Sequence, residues 1–102
     1  MNKARARFNL VRTDAEADAA LVQLTAPMMD AKLEEAREKG RGGWWDRNRA
    51  SNADLQMLLE DHVAKAHEIG PNRLGEVQRN LIDIANLAAM MAIRIELYGD
   101  EA

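Results

Sequence analysis

The chain has 102 residues, which is the length of a single domain with one core. It contains no cysteine and carries a formal net charge of −3. These features exclude disulfides and thiolate chemistry, and they argue against general binding to duplex nucleic acid. The absence of cysteine is compatible with a reducing compartment, so we expect a cytoplasmic protein. The most apolar stretch, residues 81–98, contains several polar and charged side chains and does not have the pattern of a membrane span.

Residues 1–12 form a basic arm, and residues 13–102 form a single helical domain. In the arm, Phe8 and Leu10 alternate with polar neighbours. This pattern is compatible with a short edge strand and equally with an arm that becomes ordered only on a partner.

The first long helix is predicted to begin at a capping box, in which Thr13 and Glu16 satisfy free backbone N–H groups. Apolar residues at helical spacing follow. Pro27 interrupts them, so the pattern predicts either one kinked helix or two helices with Thr25 capping the second. Gly40 is the expected end of this part of the chain.

A glycine-rich loop, Gly40–Arg49, leads to a second helix that Ser51 or Asn52 is expected to cap. Gly70 and the proline after it end that helix. The last helix, at about residues 73–98, becomes apolar nearly all round and must be covered on several sides. The predicted fold is therefore an all-α bundle of three to four helices, completed by oligomerisation.

The Gly40–Arg49 loop combines three features that suit a phosphorylated ligand. Glycines expose backbone N–H groups, arginines offer bidentate donors to phosphate, and an indole face can stack on a base. The alternative is a tight interhelical turn, with glycines ending the helix and one Trp folded onto the core. The candidate ligand-binding residues of the loop are Arg41, Gly42, Gly43, Trp44, Trp45, Arg47 and Arg49.

Two further sets of polar residues could carry chemistry. Glu34, Glu35 and Glu38 lie one helical turn apart and could hold Mg²⁺, or they could form a solvated face on which Glu35 pairs with Lys39. Glu76, Asn80, Asp83 and Asn86 make a polar ribbon on the most apolar helix. A carboxylate at Asp83 needs a partner: a loop arginine, His62, a metal, or the same ribbon on another subunit. His62 itself lies on an apolar helix face, as a core residue or as part of a site.

Three segments resemble a set of small phage and prophage proteins. Those proteins carry a Gly-Arg-Gly-Gly-Trp-Asp loop, a Glu-His-Val helix and an Asp-Val-Ala-Asn-Phe-Ala-Met-Met helix. The corresponding segments are Lys39–Asp46, Leu58–Lys65 and Asp83–Met91. The resemblance covers about residues 36–92, with Leu87 in place of the family's Phe and an insertion around residues 70–80.

These proteins are loosely related to MazG-type nucleotide pyrophosphohydrolases, helical oligomers that hold Mg²⁺ with Glu-Glu-x-x-Glu and a later Glu-x-x-Asp. The resemblance implies that Glu34, Glu35, Glu38 and Asp83 would be the catalytic carboxylates and Mg²⁺ the cofactor. The second motif departs from the family pattern, because Asn80 stands where a carboxylate is expected.

Our leading hypothesis is a phage-derived helical homo-oligomer in the host cytoplasm that binds a nucleotide or nucleotide-like phosphate, sequestering it to counter host defence. Its ligand-binding residues would be those of the loop together with His62, Asp83 and Asn86. One alternative is a Mg²⁺-dependent nucleoside triphosphate pyrophosphohydrolase. Another is an interaction module that inhibits a host protein through its Trp and Arg side chains.

Overall fold

The computed structural model describes residues 3–99. The elements are α1 (Lys3–Phe8), α2 (Asp14–Glu38), α3 (Asn52–Ile69), a 3-10 turn (Pro71–Arg73) and α4 (Leu74–Tyr98). No strand occurs between residues 3 and 99, so the predicted all-α fold is confirmed. Over the same residues, no helix is both long enough and apolar enough to cross a membrane.

Most of the basic arm is a short helix that packs on α2. Arg7 donates a hydrogen bond to Gln23 Oε1 at 2.6 Å. The edge strand suggested by the alternation around Phe8 does not form, because Ala and Arg in this segment favour a helix and Arg5 and Arg7 complement the dipole at its carboxyl end. Met1 and Asn2 lie outside the described residues.

A single helix, α2, runs through the proline. Thr13 accepts a hydrogen bond from the Glu16 backbone N–H at 3.2 Å, which is one half of the predicted capping box. The Glu16 carboxylate accepts from the Thr13 hydroxyl at 3.0 Å and not from a backbone N–H, so the other half does not form. Pro27 lies inside the helix and is exposed, so its ring points away from the bundle. Thr25 does not cap a second helix; its hydroxyl donates to the Leu21 carbonyl oxygen at 2.8 Å.

The carboxyl end of α2 fixes the start of the glycine-rich loop. Gly40 has a φ of 74°, a left-handed conformation that glycine adopts without steric cost. The Gly40 N–H donates to the Arg37 carbonyl at 3.0 Å, and the Arg41 N–H donates to the Ala36 carbonyl at 2.8 Å. This pair of bonds is a Schellman motif, and it places Arg41 directly beside the last turn of α2.

The other helix boundaries agree with the sequence prediction. Ser51 caps α3 in a full capping box: its side chain accepts from the Asp54 N–H, and the Asp54 carboxylate accepts from the Ser51 N–H, both at 3.0 Å. Gly70 ends α3 with a φ of 67°. The last helix then extends over 25 residues and packs most closely against α3.

Very little of the described chain is buried. Ala20, Leu55 and Leu87 are the buried apolar residues, and Asn86 and Arg94 are the buried polar ones. The radius of gyration is 15.6 Å, whereas a compact domain of this length has one of about 13 Å. The helices therefore form an open arrangement, and the candidate site occupies the space where α2, α3 and α4 meet.

Candidate functional site

A cavity of about 190 Å³ lies where α2, α3 and α4 meet, beside the start of the glycine-rich loop. Five of the residues singled out from sequence line it together: Glu35, Arg41, His62, Asp83 and Asn86. The polar ribbon of α4 and the end of α2 are thus brought to one place. Apolar side chains complete the wall, namely Leu33, Ala36, Leu58, Leu87 and Met90.

The cavity contains more positive than negative side chains. Lys32, Lys39 and Arg41 face two carboxylates, Glu35 and Asp83. Lys32 Nζ lies 3.5 Å from Asp83 Oδ2 and 3.7 Å from Glu35 Oε2. Lys39 Nζ lies 3.0 Å from Glu35 Oε1, and this hydrogen bond, with the Lys32 charge, lowers the pKa of Glu35. Both carboxylates are thereby paired, whereas Arg41 has no carboxylate partner among the described residues.

His62 is held in one orientation by the polar ribbon. Asn80 Nδ2 donates to the Glu76 carbonyl at 3.0 Å, which leaves Asn80 Oδ1 to accept from His62 Nδ1, also at 3.0 Å. This assignment puts the proton of the neutral imidazole on Nδ1. Asp83 Oδ2 is 3.8 Å from the same nitrogen.

A second pocket of about 130 Å³ adjoins the first, and Arg41 lines both. Its other walls include the glycines and tryptophans of the loop, together with residues of α2 and α4: Leu33, Ala36, Arg37, Gly42, Gly43, Trp44, Trp45 and Met90. Trp45 is 54% exposed, whereas Trp44 is half-buried and also borders an apolar groove between α2 and α4. Arg41 is therefore the charged residue common to the charged cavity and the Trp-lined pocket.

Two of the predicted loop arginines make contacts within the protein. Arg49 packs its guanidinium directly over Gly43, so closely that a Cβ there would come within 2.5 Å of its Cζ. Arg47 lies over the ring of Tyr98, with Cζ 4.6 Å from the ring centroid, which is a cation–π geometry. These contacts anchor the loop to itself and to the end of α4.

Arg94 holds the loop from the core side. It is 0% exposed; Nε donates to Asn52 Oδ1 at 2.9 Å and Nη1 to the Trp44 carbonyl oxygen at 2.5 Å. Nη2 has no hydrogen-bond partner within residues 3–99. Tyr98 adds a second tie, because its hydroxyl donates to the Trp45 carbonyl at 2.8 Å. The backbone of the Trp pair is thus fixed by α4.

The carboxylates expected from the MazG-like resemblance are not brought together. Glu34 and Glu38 are exposed and do not line the cavity. Lys32 lies against both Glu35 and Asp83, where a divalent cation would have to bind. Within the described residues, no group of three or more acidic, His or Cys side chains could hold a metal ion. The residues present therefore do not fit a Mg²⁺ site.

Sequence reasoning missed Lys32 and Arg94. Lys32 lies on the same face of α2 as Met29, Leu33 and Ala36. A lysine on the apolar face of a helix indicates a contact inside the protein, and this pattern could have identified it. Arg94 is a charged residue on a helix without a polar face, which indicates a buried partner. Asn86, predicted as a ligand-binding residue, does line the cavity, but its Nδ2 also donates to the Met29 carbonyl at 3.1 Å and joins α4 to α2.

Comparisons with protein-family models, with curated protein sequences and with solved structures gave no match. The fold and the geometry of the cavity therefore carry the functional argument.

Proposed function

We propose that this protein binds a small phosphorylated ligand of the nucleotide class without converting it. The phosphate would lie in the cavity between α2 and α4, and the base would lie against Trp45. The observation that carries the proposal is the position of Arg41 on the wall shared by the charged cavity and the Trp-lined pocket.

Electrostatics support a negatively charged guest. Three cationic side chains face two carboxylates that are already paired with lysines. Arg41 remains to donate two parallel hydrogen bonds to a phosphate group.

The available space supports a ligand larger than phosphate. The cavity alone, at about 190 Å³, is below the roughly 300 Å³ at which small-molecule sites begin. The adjoining pocket of about 130 Å³ brings the pair into that range. An exposed indole at its far side offers the flat surface on which a base stacks.

Binding without turnover is favoured over hydrolysis, because the carboxylates that would hold Mg²⁺ are separated or paired with Lys32. Such a protein would act by holding its ligand. Should the chain be phage-encoded, sequestration of a nucleotide signal in the host cytoplasm would be the corresponding role.

The test is thermal stabilisation by four probes: pyrophosphate, adenosine, AMP and ATP. We expect AMP and ATP to raise the Tm, pyrophosphate to raise it less, and adenosine to have no effect. Arg41→Ala should abolish the response to every phosphorylated probe, whereas Trp45→Ala should remove only the advantage of nucleotides over pyrophosphate. Arg73→Ala, which removes an exposed guanidinium that is paired with Glu76 and lines neither pocket, is the matched control.

Equal responses in Arg41→Ala and Arg73→Ala would contradict the proposal. Mass spectrometry of the denatured, freshly purified protein gives a second readout, because a retained nucleotide would be released. Release of pyrophosphate from ATP by the wild type, lost in Glu35→Gln, would instead support the enzyme. Capture of a host protein that depends on Trp45, with no response to any of the four probes, would support an interaction module.

A further inference from the structure

The exposed face of α4 has the pattern of a helix that pairs with another helix. Leu74, Leu81, Ala88 and Ile95 recur every seven residues, and Gln78, Ala85 and Ala92 fall between them at the second heptad position. Leu81 is 52% exposed and Ile95 is 60% exposed. A repeat of 3.5 residues sustained over three heptads is typical of the contact line of a coiled coil. We call these seven residues of α4 the seam.

The accessible surface area of the chain is larger than that of a compact monomer, which leaves area for a partner to cover. The chain exposes 7669 Å², whereas a folded monomer of 11.4 kDa exposes about 5,800 Å². The difference, about 1,900 Å², exceeds the roughly 800 Å² that each partner contributes to a standard interface. Part of this excess belongs to the open space between α2 and α4, and the rest is enough for a standard interface with a second copy on the uncovered face of α4.

From this geometry we infer that two copies of the chain pair through α4, antiparallel, with the two-fold axis between Ala85 and Ala88. Reversing the helix about that point maps the seam onto itself: Leu81 comes opposite the second copy's Ala92, and Ala85 opposite its Ala88. Each larger side chain in the centre of the seam then meets an alanine, which gives even packing.

A parallel pair would not pack evenly. It would place Leu81 against Leu81 and Ile95 against Ile95, with three alanine layers between them, so the helices would be held apart at the ends and leave a gap in the middle. The antiparallel pair also aligns the helix dipoles favourably. Glu96 of one copy then lies level with Val77 of the other, in the first turn of α4, where backbone N–H groups carry partial positive charge.

The first experiment measures the mass of the assembly by light scattering. We expect the wild type to be a dimer, and Ala88→Glu to raise the dissociation constant at least about 100-fold, because it buries two like charges at the axis. Ala64→Glu makes the same chemical change at an exposed position of α3 outside the seam and should leave the dimer intact. A monomeric wild type, or a dimeric Ala88→Glu protein, would overturn the inference.

Cysteine cross-linking tests the orientation without disturbing the fold, since the chain has no cysteine of its own. At 1.5 Å per residue, Ala88→Cys lies only about 5 Å along the axis from its own copy, and Ile95→Cys about 25 Å. A short bismaleimide should therefore link Ala88→Cys to itself but leave Ile95→Cys unlinked. A mixture of Leu81→Cys and Ala92→Cys should give a mixed dimer. Efficient self-linking of Ile95→Cys would show a parallel pair and refute this arrangement.

Discussion

The buried guanidinium of Arg94 donates a hydrogen bond to the backbone carbonyl oxygen of Trp44, a residue 50 positions earlier in the chain. No carboxylate of the described residues pairs with this cation, so its charge is balanced by oxygen dipoles from Trp44 and Asn52. A fully buried arginine held in this way is costly to desolvate. Its function in the structure is to fix the loop that carries the two tryptophans.

Two substitutions of Arg94 should separate the destabilising effect of burying its charge from the stabilising effect of its contacts. Arg94→Ala should lower the free energy of unfolding by roughly 3 kcal/mol, because it leaves a cavity and two oxygens without donors. Arg94→Met keeps most of the volume and removes the desolvated charge, so we expect a smaller loss. In both variants acrylamide should quench tryptophan fluorescence more strongly. Wild-type stability and quenching in Arg94→Ala would contradict this assignment.

The two adjacent glycines of the loop should respond differently to alanine. Gly43 has a φ of 89° and lies under Arg49, so Gly43→Ala should be destabilising by about 1–3 kcal/mol and should displace the arginine. Gly42 has ordinary space, with Arg37 Cγ the nearest atom at 3.8 Å from an added Cβ. Gly42→Ala should therefore be close to neutral. Urea unfolding measures both variants, and equal losses would show that the close contact at Gly43 has no energetic importance.

Removal of Pro27 should stabilise the protein. The proline removes a hydrogen bond from the interior of α2, and its ring is exposed, so nothing in the bundle depends on it. Allowing for the greater freedom of the unfolded chain, Pro27→Ala should gain about 2 kcal/mol. Ala19→Gly, at an exposed position of the same helix, is a control with the opposite expected sign. It should lower the free energy of unfolding by about 1 kcal/mol. A drop in Tm for Pro27→Ala would mean that the proline has a packing role.

Two carboxylates should make the stability of the protein sensitive to acid: Asp54, which caps α3, and Glu35, which pairs with lysines. The hydrogen bonds from Ser51 lower the pKa of Asp54 below its ordinary 3.8, and Lys39 and Lys32 lower that of Glu35 below 4.5. A lowered pKa means that the stabilising contribution is complete above the ordinary value and is lost as the pH falls through the folded value. The free energy of unfolding should therefore decline below about pH 5, with a shallower slope in Asp54→Asn. Identical slopes would exclude Asp54 as a contributor.

Local signals were enough to predict most of the helix boundaries. Thr13, Ser51, Gly40 and Gly70 each act on backbone groups within five residues, so their effect can be inferred from the neighbouring sequence. The continuity of α2 through Pro27 could not be inferred in this way. It depends on which side of the helix faces solvent, and that is decided by packing.

Part of the candidate site could also be predicted from local sequence. The residues that line the cavity from the helices follow from helical spacing, as Asp83 and His62 illustrate. The directions of the loop arginines do not follow from spacing. Arg47 and Arg49 were expected to meet a phosphate, but a ring at Tyr98 and the bare backbone of Gly43 offer them contacts that only the folded chain brings near.

The anchor of the loop has one more consequence, because Arg94 is the immediate neighbour of Ile95 on α4. The backbone that sets the position of the tryptophans is also the backbone that would set the register of the paired helices. Any effect of pairing on ligand affinity would then be matched by an equal effect of the ligand on pairing, because such linkage is reciprocal.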